Sequence, residues 1–297
     1  MLDSDSKPAY APFRQLQGWL LHQRIGRWNP FLAFIDGHRT SYRYGMARPG
    51  TVELVYRTVG SGPPVVLVHG TAADGATFRL LERQLADRFT VVTVERRGRC
   101  GSGDDDAYSL EAEFDDLAAV IDTLDEPAVV FGHSFGANVA LGASLRSTKV
   151  GKLVLMEPGF RGDVSPALLH ELESLLDRGD RMGAMRLTLR EFTRFPEEWL
   201  DDLLDTPPWQ ERLAFAHTIP RELRAYDEYD YGDLSRFTVP TLLIVGEESP
   251  AAELSHARAL ASELPSASVS VLPHEGHTAP VTAPQLVARE IFEFAAA

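Results

Sequence analysis

Short, wholly apolar runs separated by amphipathic segments constrain this chain more than any other feature. Residues 65–68, 91–94, 129–131 and 153–156 each hold almost nothing but Val, Leu, Phe and Met. Runs this short, with no polar face, read as strands buried on both sides. Between them, Phe78, Leu81 and Leu85, and then Phe114, Leu117, Ala118, Ile121 and Leu124, recur at helical spacing. Ser109 stands where an N-cap for the second of these helices belongs. Buried strands alternating with helices predict an α/β protein with a mostly parallel sheet covered on both faces.

The alternation stops after Glu157. Residues 164–232 read as several helices with no strand between them, interrupted by Pro196, Pro207, Pro208 and Pro220. The strand pattern resumes at 241–245. A helix at about 252–263, a strand at 269–272 and a last helix at about 284–295 follow. The expected organisation is therefore a core of residues 51–157 and 240–297 with a helical insertion, 158–239, between two of its strands. Residues 1–50 read as an N-terminal helical extension. Phe13, Leu16, Trp19, Leu20 and Ile25 line one face of a helix at about 12–26, which Asn29-Pro30 ends. A helix packed on the body, a homodimer contact and a cover over a site entrance are all compatible with that pattern.

Charge and cysteine content narrow the function. Lys plus Arg is 29 against 43 Asp plus Glu, a net charge of −14. Such a surface repels phosphate backbones, so no nucleic-acid partner is expected. No apolar run approaches the ~18 residues of a membrane span. The first residues, MLDSDSKPAYAPF, carry acidic side chains and no hydrophobic signal core. The single cysteine, Cys100, excludes an internal disulfide. A cytoplasmic setting is the expectation.

The chemistry is written most sharply in Gly132-His133-Ser134-Phe135-Gly136. This G-x-S-x-G follows an apolar strand and precedes a helix, the setting of a nucleophile elbow. A tight turn there exposes the Ser134 hydroxyl at the strand's end, and the helix N-terminus faces any developing anion. One oxyanion donor is then the backbone N–H of Phe135. The second comes from the loop His69-Gly70-Thr71, with the Thr71 N–H first and that of Ala72 next.

These segments resemble the α/β-hydrolase superfamily. The resemblance is carried by Val66-Leu67-Val68-His69-Gly70, Glu95-Arg96-Arg97-Gly98-Arg99, the Ser134 elbow and Gly276-His277. It covers about 51–157 and 240–297. It implies an α/β-hydrolase fold: a mostly parallel eight-stranded sheet, a helical cap inserted after the sixth strand, and a Ser-His-acid triad. Cys100 stands where a glycine is common and reads as a structural substitution.

The resemblance assigns the base to His277, in the loop between the last strand and the last helix. His274 is the rival, and His-x-x-His without further ligands does not suggest a metal. The acid departs from the pattern. Relatives commonly carry Asp after the seventh strand, where this chain has Gly246-Glu247-Glu248-Ser249-Pro250. A serine hydroxyl cannot stabilise an imidazolium as a carboxylate does. Glu157, at the end of the sixth strand, is the substitute, since some α/β-hydrolases place the acid there. Glu247 and Glu248 are the alternative acids.

The expected activity is hydrolysis of a carboxylic ester or lactone through an acyl-enzyme, with a small, apolar substrate and no cofactor or metal. Two rivals share the fold: a cofactor-independent lyase, perhydrolase or cyclase, and a non-catalytic ligand binder. Nucleotide binding by the 98–103 segment lacks both the G-x-G-x-x-G spacing and a Walker lysine.

Overall fold

The computed structural model describes residues 42–48, 52–192, 200–201 and 204–297. The expected helix at 12–26 lies outside the described residues, as do Phe195 and Trp199 of the insertion. Eight strands form one sheet: β1 (Arg43–Ala47), β2 (Leu54–Gly60), β3 (Pro64–Val68), β4 (Thr90–Val94), β5 (Ala128–His133), β6 (Val150–Met156), β7 (Thr241–Gly246) and β8 (Ala267–Leu272). Their spatial order is β1-β2-β4-β3-β5-β6-β7-β8. β2 pairs antiparallel with both β1 and β4, and all other neighbours are parallel.

The apolar runs are buried because both of their faces are covered. All five residues of β3 and all six of β7 are buried. Alternate side chains go to opposite sides of the sheet, as a pleated strand requires. Val66, Val68, Leu153 and Leu155 join one core. Val65, Leu67, Val154 and Met156 join the other. Helices α1 (Arg79–Leu85) and, near the C-terminus, α10 (Pro284–Ala296) cover the second face through Leu81, Leu85, Val287 and Ile291. Helices α2 (Leu110–Asp122) and α3 (Phe135–Ser144) cover the first. Ser109 caps α2, its side chain accepting from the Ala112 N–H at 3.2 Å.

Between β6 and β7 come α4 (Pro166–Asp177), α5 (Arg181–Glu191), α6 (Pro207–Arg212), a 3-10 turn at Leu213–Thr218 and α7 (Ile219–Glu228). No strand interrupts them among the described residues. Helix α8 (Ala251–Glu263) separates β7 from β8, and the short α9 (Ala279–Thr282) precedes α10.

One segment differs from the sequence reading. Within 1–50, expected as a helical extension, residues 43–47 form the first strand of the sheet. Arg-Tyr-Gly-Met-Ala has neither an apolar run nor strict alternation. Its strand character comes from pairing with β2, where Gly45 lies opposite Tyr56. A Cβ at Gly45 would lie 2.3 Å from the end of the Tyr56 ring, so a side chain there would push that ring aside.

β3 and β5 are neighbours, but β3 runs on towards β4 on one side and β5 towards β6 on the other. Their carboxyl ends therefore flank a topological switch point, the place where open α/β sheets leave a crevice.

Candidate active site

Ser134 stands between β5 and α3, at that switch point. Its backbone has φ 55° and ψ −131°, a strained conformation for a residue with a side chain. The glycines around it make the turn sterically feasible. A Cβ at Gly132 would lie 2.4 Å from the Gly136 carbonyl oxygen, and one at Gly136 would lie 2.2 Å from that of Val68. Without side chains there, α3 packs directly on the strands. The Ser134 N–H donates to the Met156 carbonyl at 2.9 Å, which ties the elbow to the end of β6. Phe135 is the first residue of α3, where a backbone N–H has no acceptor within the helix.

The loop after β3 packs against Ser134. A Cβ at Gly70 would lie 2.8 Å from Ser134 Cβ and 3.3 Å from its Oγ. His69 holds this loop from beneath. It is fully buried, and burial together with Arg96 and Arg99 pushes its pKa well below the ordinary histidine range. In the neutral ring Nδ1 donates to the Gly70 carbonyl at 3.0 Å, and Nε2 accepts the Arg96 N–H at 3.3 Å. Thr71 thus follows a residue fixed both by a hydrogen bond and by contact with Ser134.

The imidazole of His277 meets Glu157. Nδ1 lies 2.7 Å from Glu157 Oε2. The other carboxylate oxygen, Oε1, accepts from the Gly246 N–H at 2.8 Å and from the Ser249 hydroxyl at 2.5 Å. Burial opposes ionisation of Glu157, but the His277, Ser249 and Gly246 donors outweigh it and hold its pKa below the usual value. An ionised carboxylate on Nδ1 fixes the proton there, which leaves Nε2 as the basic nitrogen of the neutral ring. Glu157 reaches this position from a residue with φ 45°, its N–H donating to the Ile244 carbonyl of β7 at 3.1 Å.

His133 supports the same loop. Its Nε2 donates to the His277 carbonyl oxygen at 2.8 Å, and the two rings lie 4.7 Å apart. Burial and the neighbouring His277 push its pKa down to about 3, so it is a neutral donor.

The other candidates stand apart from this cluster. The Glu247 carboxylate accepts the His274 N–H at 2.8 Å, and the exposed His274 ring lies 3.5 Å from it. Glu248 is exposed, and its N–H donates to the Glu275 carbonyl at 2.8 Å. Cys100 has φ 42°, a left-handed backbone conformation that favours glycine. Local burial of the sulfur and the Glu95 and Asp74 carboxylates push its thiol pKa up. Among the described residues no group of His, Cys, Asp and Glu is arranged to hold a metal, and no helix is long and apolar enough to cross a membrane.

A further group escaped the sequence reading. Glu222, on α7 of the insertion, is fully buried between two guanidinium groups from the loop after β4. Arg96 Nη2 and Arg99 Nη2 each lie 2.6 Å from its Oε1. Arg96 also lies over the Phe135 ring, 4.5 Å from its centroid. The insertion is therefore anchored beside the residue that follows Ser134. Tyr226, one turn further along α7, packs on Phe135 with ring centroids 6.1 Å apart.

Comparison with known proteins places this geometry. The chain is 28% identical over 265 residues to 2-(acetamidomethylene)succinate hydrolase of Mesorhizobium japonicum, covering 82% of this chain and 92% of that protein. An α/β hydrolase from Sphaerobacter thermophilus superposes with a TM-score of 0.74 at 32% identity, covering 85% of this chain and all of that one. A thermophilic esterase from Thermogutta terrifontis gives a TM-score of 0.63 at 25% identity, over 85% of this chain and 98% of that one. The profile of the alpha/beta hydrolase family matches residues 65–290, from β3 into the last helix. On that match, and on the sheet order and elbow described above, the chain belongs to the alpha/beta hydrolase family.

Proposed function

We propose that the protein hydrolyses a carboxylic ester or lactone through a Ser134-His277-Glu157 triad and an acyl-enzyme. The observation that carries this reading is the 2.7 Å contact between His277 Nδ1 and Glu157 Oε2, one strand over from an elbow serine with φ 55°. Ser134 Oγ attacks the carbonyl carbon while His277 Nε2 takes its proton. The oxyanion that forms is held by the backbone N–H groups of Phe135 and Thr71. His277 then gives the proton to the departing alkoxide, and the carbonyl re-forms as the acyl-enzyme. Water, deprotonated by His277, attacks the ester carbon. Ser134 leaves with the proton, and the acid product is released. Glu157 stays ionised throughout and stabilises the imidazolium.

The helical insertion covers the site and selects the acyl or alcohol portion of the substrate, a small molecule. The burial of Glu222 against Arg96 and Arg99 supports this, because it anchors α7 beside Phe135. An amide is the second reading, favoured by the likeness to 2-(acetamidomethylene)succinate hydrolase. The same steps would then expel an amine.

Incubation with a fluorophosphonate followed by intact-mass measurement tests the proposal. The expected result is one adduct on the wild type and none on Ser134→Ala. A wild-type protein that gains no adduct would overturn the nucleophile assignment. Esters, lactones and amides of matched acyl group then rank the substrate classes by kcat/KM.

A further inference from the structure

We infer that Ser249 is a positioning residue for the triad acid, its hydroxyl setting both the direction and the basicity of the Glu157 carboxylate. This rests on the Ser-His-Glu reading above and assigns a role to the position where relatives commonly carry the acid itself.

Glu157 projects from the end of β6, but the oxygen that matters must face a loop beyond β7. Two donors on the β7 side fix which oxygen that is. The Gly246 N–H at 2.8 Å and the Ser249 hydroxyl at 2.5 Å both occupy Oε1, which leaves Oε2 for His277 Nδ1. The hydroxyl is the donor in this pair, because an ionised carboxylate only accepts. Ser249 is itself fixed. Its N–H donates to the Gly246 carbonyl at 3.1 Å, closing a turn. The Glu248 N–H donates to the Glu275 carbonyl at 2.8 Å, which joins that turn to the loop bearing His277. The two segments approach so closely that a Cβ at Gly246 would lie 2.4 Å from the Glu275 carbonyl oxygen. Acid and base are therefore held by one rigid unit, with Ser249 at its centre.

The electrostatics point the same way. A hydroxyl donating to Oε1 draws charge from the carboxylate and favours its ionised form. Removing that donor makes Glu157 more basic. A more basic carboxylate also holds a proton on His277 more strongly. Both changes favour the protonated form of the Glu157–His277 pair, so the acid limb of the rate moves to higher pH. An aspartate at 249 would instead set a second negative charge against Glu157. Serine is thus the residue type that suits an acid moved to β6.

The test is the rate of Ser134 labelling by a fluorophosphonate as a function of pH. It compares wild type with Ser249→Ala, Ser249→Thr, Ser249→Val and Glu157→Gln. Ser249→Ala is expected to label about tenfold more slowly at neutral pH, with the midpoint of its acid limb moved to higher pH. Ser249→Thr keeps the hydroxyl and recovers most of the rate and the midpoint; Ser249→Val, of equal volume, does not. The Thr and Val pair carries the test if the alanine variant is poorly folded. Equal rates and midpoints for Thr and Val, with Glu157→Gln slow, would overturn the role of Ser249 and leave the triad standing. Wild-type labelling by Glu157→Gln would overturn the triad reading itself.

Discussion

Two buried glutamates frame the site, and they keep opposite company. Glu157 and Glu222 are 3% and 0% exposed. Glu222 lies between two permanent cations, with Arg96 and Arg99 at 2.6 Å. Among the described residues Glu157 has no arginine or lysine as a hydrogen-bond partner; it accepts from a backbone N–H, a serine hydroxyl and an imidazole. Both have pKa values held below the usual carboxylate range despite burial, Glu222 by the guanidiniums and Glu157 by its donors. The difference separates structure from chemistry. A carboxylate whose charge is already balanced by fixed cations adds little net field for a proton that arrives on a neighbour. One held by neutral donors stays ionised and still stabilises a cation that appears during reaction. Glu222 therefore fastens the insertion to the core, and on the proposed mechanism Glu157 serves the imidazole.

The strongest way to break this comparison is to remove each charge in turn. Glu157→Gln is expected to lower kcat by about 10³–10⁴-fold on any substrate that the wild type turns over, with KM little changed. Glu222→Ala removes the carboxylate that buried Arg99 pairs with and leaves Arg96 only the more distant Glu113, at 3.7 Å. It should cost about 3–5 kcal/mol of stability, read as a fall in melting temperature. Turnover measured well below that temperature should fall much less than in Glu157→Gln. The reverse pattern would exchange the two roles.

pH sharpens the comparison. Both glutamates have depressed pKa values in the folded state, so each adds stability that is fully present above the unfolded value of about 4.3 and is lost as pH falls below it. His133 acts higher on the scale. The folded protein keeps it neutral down to about pH 3, whereas the unfolded chain takes up a proton below about pH 6.5. Stability should therefore decline from pH 6.5 downward, and His133→Gln should flatten that slope in denaturant titrations. A slope unchanged by the substitution would mean that His133 is not held neutral. The smallest effect belongs to Glu247→Gln. Its carboxylate bonds the exposed His274 segment, so turnover should stay within a few-fold of wild type.

The same comparison explains what the sequence could reveal. Ser134 is legible because its signal is local: a strand, a tight turn and a helix written in consecutive residues. The contact between His277 and Glu157 was legible from a short loop phrase and from the uncharged serine at 249. Glu222 has no such signal. Its partners lie 126 and 123 positions away, and several other acidic residues of the insertion look the same in sequence. Only folding selects one of them for burial. β1 was hidden for a related reason. Its strand conformation comes from the hydrogen bonds of β2, not from a pattern of its own. The buried strands, by contrast, had to be apolar on both faces, and that requirement is visible residue by residue.

The most direct measurement of the central claim compares fluorophosphonate labelling rates of wild type, Glu157→Gln and Glu247→Gln at neutral pH. The account predicts one adduct on Ser134 in each, with Glu157→Gln slower by orders of magnitude and Glu247→Gln close to wild type. Equal rates for Glu157→Gln and wild type, or a collapse confined to Glu247→Gln, would contradict it.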